Sequence, residues 1–116
     1  MIKTDTLKKN YEFKIVLTKG NYVSGRYVEC FFLNNHLKEK NLIGIAISSK
    51  IAKAVTRNRI KRIIREAYKE IEEKIITGKS FVFLWKKNLD VSNATYINIK
   101  TDILNIMKEI GVFIDE

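Results

Sequence analysis

The chain has 116 residues, 46% hydrophobic and 30% charged, a length and composition that predict a single folded domain over residues 1–116 and exclude a disordered chain. Twenty-two Lys and Arg against 13 Asp and Glu give a formal charge of +9, which favours a polyanionic partner, nucleic acid first and an anionic membrane surface second. One cysteine, Cys30, and one histidine, His36, exclude an internal disulfide and a zinc cluster, and nothing in the sequence sets a nucleophile beside His36, so no catalytic side chain is expected.

From the amino terminus, "LKKNYEFKIVLTKG" carries Phe13, Val16 and Leu17 at i, i+3 and i+4, with Asn10 a candidate N-cap and Gly20 a stop, which predicts a short amphipathic helix. Residues 22–34, "YVSGRYVECFFLN", are rich in β-branched and aromatic side chains, with Gly25 marking a bend and a third short strand before it. A further apolar run, "NLIGIAIS", covers 41–48; with "NNHLKEKN" as a hairpin loop, the two runs are expected to pair antiparallel. Ile60, Ile63, Ile64, Ala67, Tyr68, Ile71 and Ile75 recur at helical spacing toward Gly78, read as the stop. "SFVFLW", 80–85, is a buried strand, and residues 93–110 a last helix with Tyr96, Ile99, Ile103, Met107 and Ile110 on its apolar face. Cys30 is expected to pack as a small hydrophobe and His36 to sit in a solvated loop. The longest apolar runs, "CFFL" and "FVFLW", fall far short of the roughly 18 residues of a membrane span, and no signal-peptide stretch is read at the amino terminus, so a cytoplasmic location is expected.

Charge is concentrated where a helix would least want it. From residue 40 to residue 65 there is no acid, yet Lys50, Lys53, Arg57, Arg59, Lys61, Arg62 and Arg65 lie in that interval. Helices prefer acids in the first turn and bases in the last, by about 0.3–1 kcal/mol per exposed charge; here Glu70, Glu72 and Glu73 come late and the arginines early. Phosphate binding supplies a reason, because free N–H groups at a helix start attract it and arginine forks add charge-assisted bonds. A helix-turn-helix fits poorly, since strands precede this helix. A protein-only nuclease would need clustered carboxylates for two metals, and Asp90, Asp102 and Asp115 are scattered.

These residues resemble a known family, the protein subunit of bacterial ribonuclease P. The resemblance centres on "AVTRNRIKRIIREAY", with Arg57-Asn58-Arg59 followed by Lys61-Arg62 and Arg65, and extends through "LKKNYEFKIVLTKG", "IGIAISSKIAKAV" and "GKSFVFLWKKNLD". It implies an α/β (α+β) two-layer sandwich in the order αβββαβα, a mixed four-stranded sheet and a left-handed βαβ crossover, where the general habit is right-handed. It also implies an endoribonuclease whose RNA subunit is the catalyst, using magnesium to remove the 5′ leader of precursor tRNA, with the protein lowering the magnesium requirement and improving substrate binding. Arg57, Asn58, Arg59, Lys61, Arg62 and Arg65 would face the catalytic RNA. A cleft between the first helix and the sheet would hold the single-stranded leader, with Phe13, Leu17 and Phe31 along it and Lys50, Lys53 and Lys86 as its charges. Leu17 stands where the family often has a second aromatic, Ser49 where lysine is common, Ala52 where glycine is frequent, and Trp85, Lys86 and Asn88 also depart from the pattern. No metal ligand in the protein, no small-molecule substrate and no membrane partner are expected. A general RNA-binding module without a processing role is the alternative.

Overall fold

A computed structural model describes residues 3–114; Asp115, one of the scattered carboxylates, lies outside them. In chain order the elements are β1 (Thr4–Thr6), α1 (Asn10–Lys19), β2 (Asn21–Ser24), β3 (Val28–Asn34), β4 (Asn41–Ala46), α2 (Ala54–Ile71), β5 (Lys79–Trp85) and α3 (Tyr96–Ile110), with single 3-10 turns at Glu72–Lys74 and Val91–Asn93. The sheet order is β1-β4-β5-β3-β2; β1 and β5 run parallel to β4, and β3 runs antiparallel to β5 and β2. The sheet therefore has five strands rather than four. The extra one, β1, is three residues of polar sequence held by pairing with β4, too short and too polar to register as a strand by pattern.

The expected β3–β4 hairpin is not formed. β5 lies between the two strands, pairing with β3 on one side and β4 on the other. "SFVFLW" is apolar on both faces, and Phe81, Val82 and Phe83 are fully buried, so this strand takes the centre. Residues 35–40 then bridge two strand spacings, about 9.6 Å, instead of turning back on one partner. Asn35 N–H donates to Gly78 C=O and Gly78 N–H to Lys40 C=O, tying the loop over the start of β5.

Alternation along the strands builds two cores. Cys30, Ile43, Ile45, Phe81, Phe83 and Trp85 point to one face, where α2 and α3 cover them with Ile60, Ile64, Tyr68, Ile99 and Ile103. On the other face Val82 packs with Leu7 and Val16 under α1, joined by half-buried Phe13, Leu17, Phe31, Leu42 and Leu84, so α1 adds a smaller layer to the sandwich. Phe13 lies directly over Gly44, where a Cβ would come within 2.5 Å of its ring; only glycine leaves room for it.

The same alternation gives the hand of the crossover. Seen from the α2 face with β4 pointing up, an L-residue whose side chain faces the viewer turns its N–H and C=O to the right. Ile43 faces that way, and its C=O accepts from Leu7 N–H at 2.8 Å, so β1 lies to the right of β4 and β5 to the left. The β4–α2–β5 crossover is left-handed, against the general habit of such units.

Helix ends differ from the sequence expectations. Lys9, not Asn10, precedes α1 in extended conformation, and the Glu12 carboxylate accepts from Lys9 N–H at 3.0 Å. α2 ends at Ile71, because Ile75 is drawn fully into the core and bridges Phe113 in extended form. Gly78, at φ 91°, serves the turn into β5 rather than a helix end. α3 starts after Thr95, whose hydroxyl accepts from Asn98 N–H.

Candidate nucleic-acid interface

β4 and β5 are parallel neighbours, so the segments leaving their carboxyl ends collect at one end of the sheet. The segment after β4 carries exposed Lys50 and Lys53 and opens α2; the segment after β5 carries Lys86 and Lys87. Among the predicted cations of α2, Arg59, Arg62 and Arg65 are exposed, as is Asn58, while Arg57 and Lys61 are half-buried beside the apolar stripe. Arg57 donates to Ala52 C=O at 2.8 Å, bracing the turn before its helix, and Arg59 donates to Ala94 C=O at 3.1 Å, linking α2 to the entry of α3. Ion pairs among the described residues join Lys40 to Asp5 and Lys100 to Glu70, leaving the α2 cations without a carboxylate partner.

The helix dipole plays a smaller part than the sequence suggests. With Ala54 as the first helical residue, only Lys53 at the N-cap and Arg57 at the end of the first turn lie near the positive dipole end; Arg59, Lys61, Arg62 and Arg65 lie in later turns, where the dipole is weak. The positive field comes from the missing acids more than from the reversed dipole.

Of the leader residues predicted from sequence, the structure brings Phe31 and Lys86 to one groove and leaves Phe13, Leu17, Lys50 and Lys53 out of its lining. On the α1 face, Tyr22, Phe31, Val82 and Gly44 form one row across the sheet, and Ser24, Glu29, Leu84 and Ala46 the next. Phe13 and Leu17 pack into the smaller core, Phe13 over Gly44 of the first row, and neither lines the groove beyond it. Beyond them the second row is open, forming a groove of about 620 Å³ lined by Arg26, Glu29, Phe31, Leu84, Lys86 and the loop 87–89. Phe31 lines this groove with its ring 4.9 Å from that of Tyr22, and Lys86 lies at its edge. Lys50 and Lys53 are outside its lining, on the turn leading to α2.

Arg26, Lys87, Tyr22 and Glu29 carry no sequence signal strong enough to single them out, with one exception. Lys87 stands next to Lys86 in "WKKN" and could have been found; the other three depend on β2 pairing with β3, which brings Tyr22 opposite Phe31. The arrangement offers phosphates an arginine-rich helix face and, on the opposite face at the same end of the sheet, an aromatic floor flanked by cations, the two elements that single-stranded and structured RNA call for. Cys30 is buried, its thiol pushed up by burial, and His36 is exposed on the loop before β4.

Comparison with known proteins agrees with this geometry. The ribonuclease P family profile matches residues 1–111. The chain is 35% identical over 112 residues to the ribonuclease P protein component of Bacillus cereus strain B4264, covering 97% of this chain and 96% of that one, and equally identical to that of Bacillus mycoides strain KBAB4. The Staphylococcus aureus ribonuclease P protein superposes with a TM-score of 0.81 at 29% identity, over 94% of this chain and 97% of that one. The Thermotoga maritima protein, solved with 1-(4-fluorophenyl)-2-thiourea, gives 0.78 at 25% identity over 88% and 96%. With the profile spanning almost the whole sequence and the fold shared from end to end, the chain belongs to the ribonuclease P protein family.

Proposed function

We propose that this chain is the protein subunit of a cytoplasmic ribonuclease P, binding the catalytic RNA through the amino-terminal half of α2 and the 5′ leader of precursor tRNA in the groove on the α1 face. The observation that carries the reading is the unpaired cationic face of α2, set at the same end of the sheet as an aromatic, cation-flanked groove. In this reading the magnesium of the reaction belongs to the two RNAs. The role of the side chains is electrostatic. Arg62, Arg65 and Asn58 meet RNA directly, while Arg57 and Arg59 each give one donor to the protein backbone and offer the rest of their forks outward. Lowering phosphate repulsion between two RNAs is work that magnesium otherwise does at higher concentration, so the protein reduces that requirement.

Cleavage of a precursor tRNA by the cognate catalytic RNA at low magnesium, with and without the chain, tests this. Restored cutting at the mature 5′ end is expected; no effect with a folded chain and an RNA active at high magnesium would reduce the protein to a general RNA binder. Arg62 is the informative substitution, its side chain being exposed and making no hydrogen bond or ion pair among the described residues. Arg62→Ala is expected to weaken assembly and to lower the slope of log affinity against log salt by about one, with unfolding unchanged.

A further inference from the structure

Glu29 is out of place in a groove for a polyanion. It lines the open second row with Arg26, Lys86 and Lys87, yet no ion pair within 4 Å joins it to any of them among the described residues. Among the described residues its carboxylate takes one hydrogen bond, from the Tyr22 hydroxyl to Oε2. That bond orients the carboxylate and leaves Oε1 open. Tyr22 is itself held in place, its ring tilted at 53° against Phe31, two residues along β3 from Glu29 and on the same face. The phenol's ionisation is pushed up by its bond to Glu29, so it stays a donor.

A carboxylate facing phosphates opposes binding, so a groove that tracked only the backbone would do better without it. A carboxylate beside an aromatic floor suits a base edge instead. Adenine, cytosine and guanine carry an exocyclic amino donor on the Watson–Crick edge, whereas uracil presents N3–H between two carbonyls whose lone pairs would face the carboxylate. We propose that Glu29, oriented by Tyr22, reads the amino group of a leader nucleotide stacked on Phe31 and thereby disfavours uracil at that position. The assignment rests on the groove being the leader site.

The test uses the reconstituted enzyme of catalytic RNA and this chain, with precursor tRNAs carrying A, C, G or U at one leader position at a time, competed to give relative kcat/KM. With the unaltered chain, one position is expected to disfavour U by about ten- to a hundredfold, the range of a hydrogen bond to a charged group. Glu29→Gln, whose amide can donate as well as accept, is expected to flatten that position to within about twofold, while the advantage of a long leader over a one-nucleotide leader persists. Tyr22→Phe keeps the ring, removes the orienting hydroxyl and is expected to weaken the discrimination. Equal use of U by the unaltered enzyme, or an unchanged base profile in Glu29→Gln, would overturn the assignment with the leader reading intact. Loss of any leader-length effect in the unaltered enzyme would overturn both.

Discussion

Asp102 sits on α3 with its carboxylate under the β2–β3 turn, accepting from the backbone N–H groups of Arg26 (2.6 Å), Tyr27 (2.8 Å) and Val28 (2.7 Å). Gly25 makes this possible, since a Cβ there would meet the Asp102 carboxylate at 2.5 Å. The contact fixes the turn that carries Arg26 into the groove. Asp102→Ala would leave three backbone donors in the shadow of α3, each worth about 1–3 kcal/mol when buried without an acceptor. We expect a loss of about 3 kcal/mol in urea unfolding, against a clearly smaller one for Asp90→Ala, whose exposed carboxylate accepts from the backbone N–H and the hydroxyl of Ser92; equal losses would show the turn to be held by other contacts. In the sequence Asp102 is one scattered acid among several, because its partners stand 74–76 positions away. The α2 cations are legible for the opposite reason: their signal, basic residues with no acid between, is local. Tyr22 and Glu29 are illegible because the groove exists only once strands pair.

Among the elements, α2 shows where fold and function pull apart. Its N-cap, Lys53, has extended backbone and no side-chain acceptor for the first N–H groups, and its first turn contains no acid. Asp at that position would supply both a cap and a charge favourable to the dipole, worth about 1 kcal/mol or more. Lys53→Asp is expected to raise the melting temperature of the free protein by several degrees, about 4–8 °C per kcal/mol for a domain near this size, while weakening RNA binding. A variant stabilised with RNA affinity unchanged would place Lys53 outside the interface. Helical periodicity makes α1, α2 and α3 readable to within a few residues, and the apolar run does the same for β5. Strand order is not readable from pattern, since nothing local to β3 or β4 states that β5, more than 30 residues later, will enter between them. The left-handed crossover is implied only by the family resemblance, and the direction of the Ile43 carbonyl supplies its geometric ground.

For the whole molecule, the larger core joins sheet to α2 and α3, and two of its groups hold protons more tightly than they would in the unfolded chain. Burial pushes the Cys30 thiol up, and burial likewise pushes up the Tyr68 hydroxyl, which bonds Thr4 Oγ1 at 2.8 Å. A folded-state pKa above the unfolded one means full stability below the unfolded pKa and loss as pH rises past it. For the thiol that point is about pH 8.5, and from there the unfolded chain sheds a proton that the folded chain keeps, costing up to about 1.4 kcal/mol per pH unit; the tyrosine adds to the decline from about pH 10. Urea unfolding at pH 8, 9 and 10 is therefore expected to show falling stability, with a shallower fall in Cys30→Ala over the same interval whatever that substitution costs at pH 8. Equal slopes would mean that the thiolate forms without unfolding and that the larger core opens at β3.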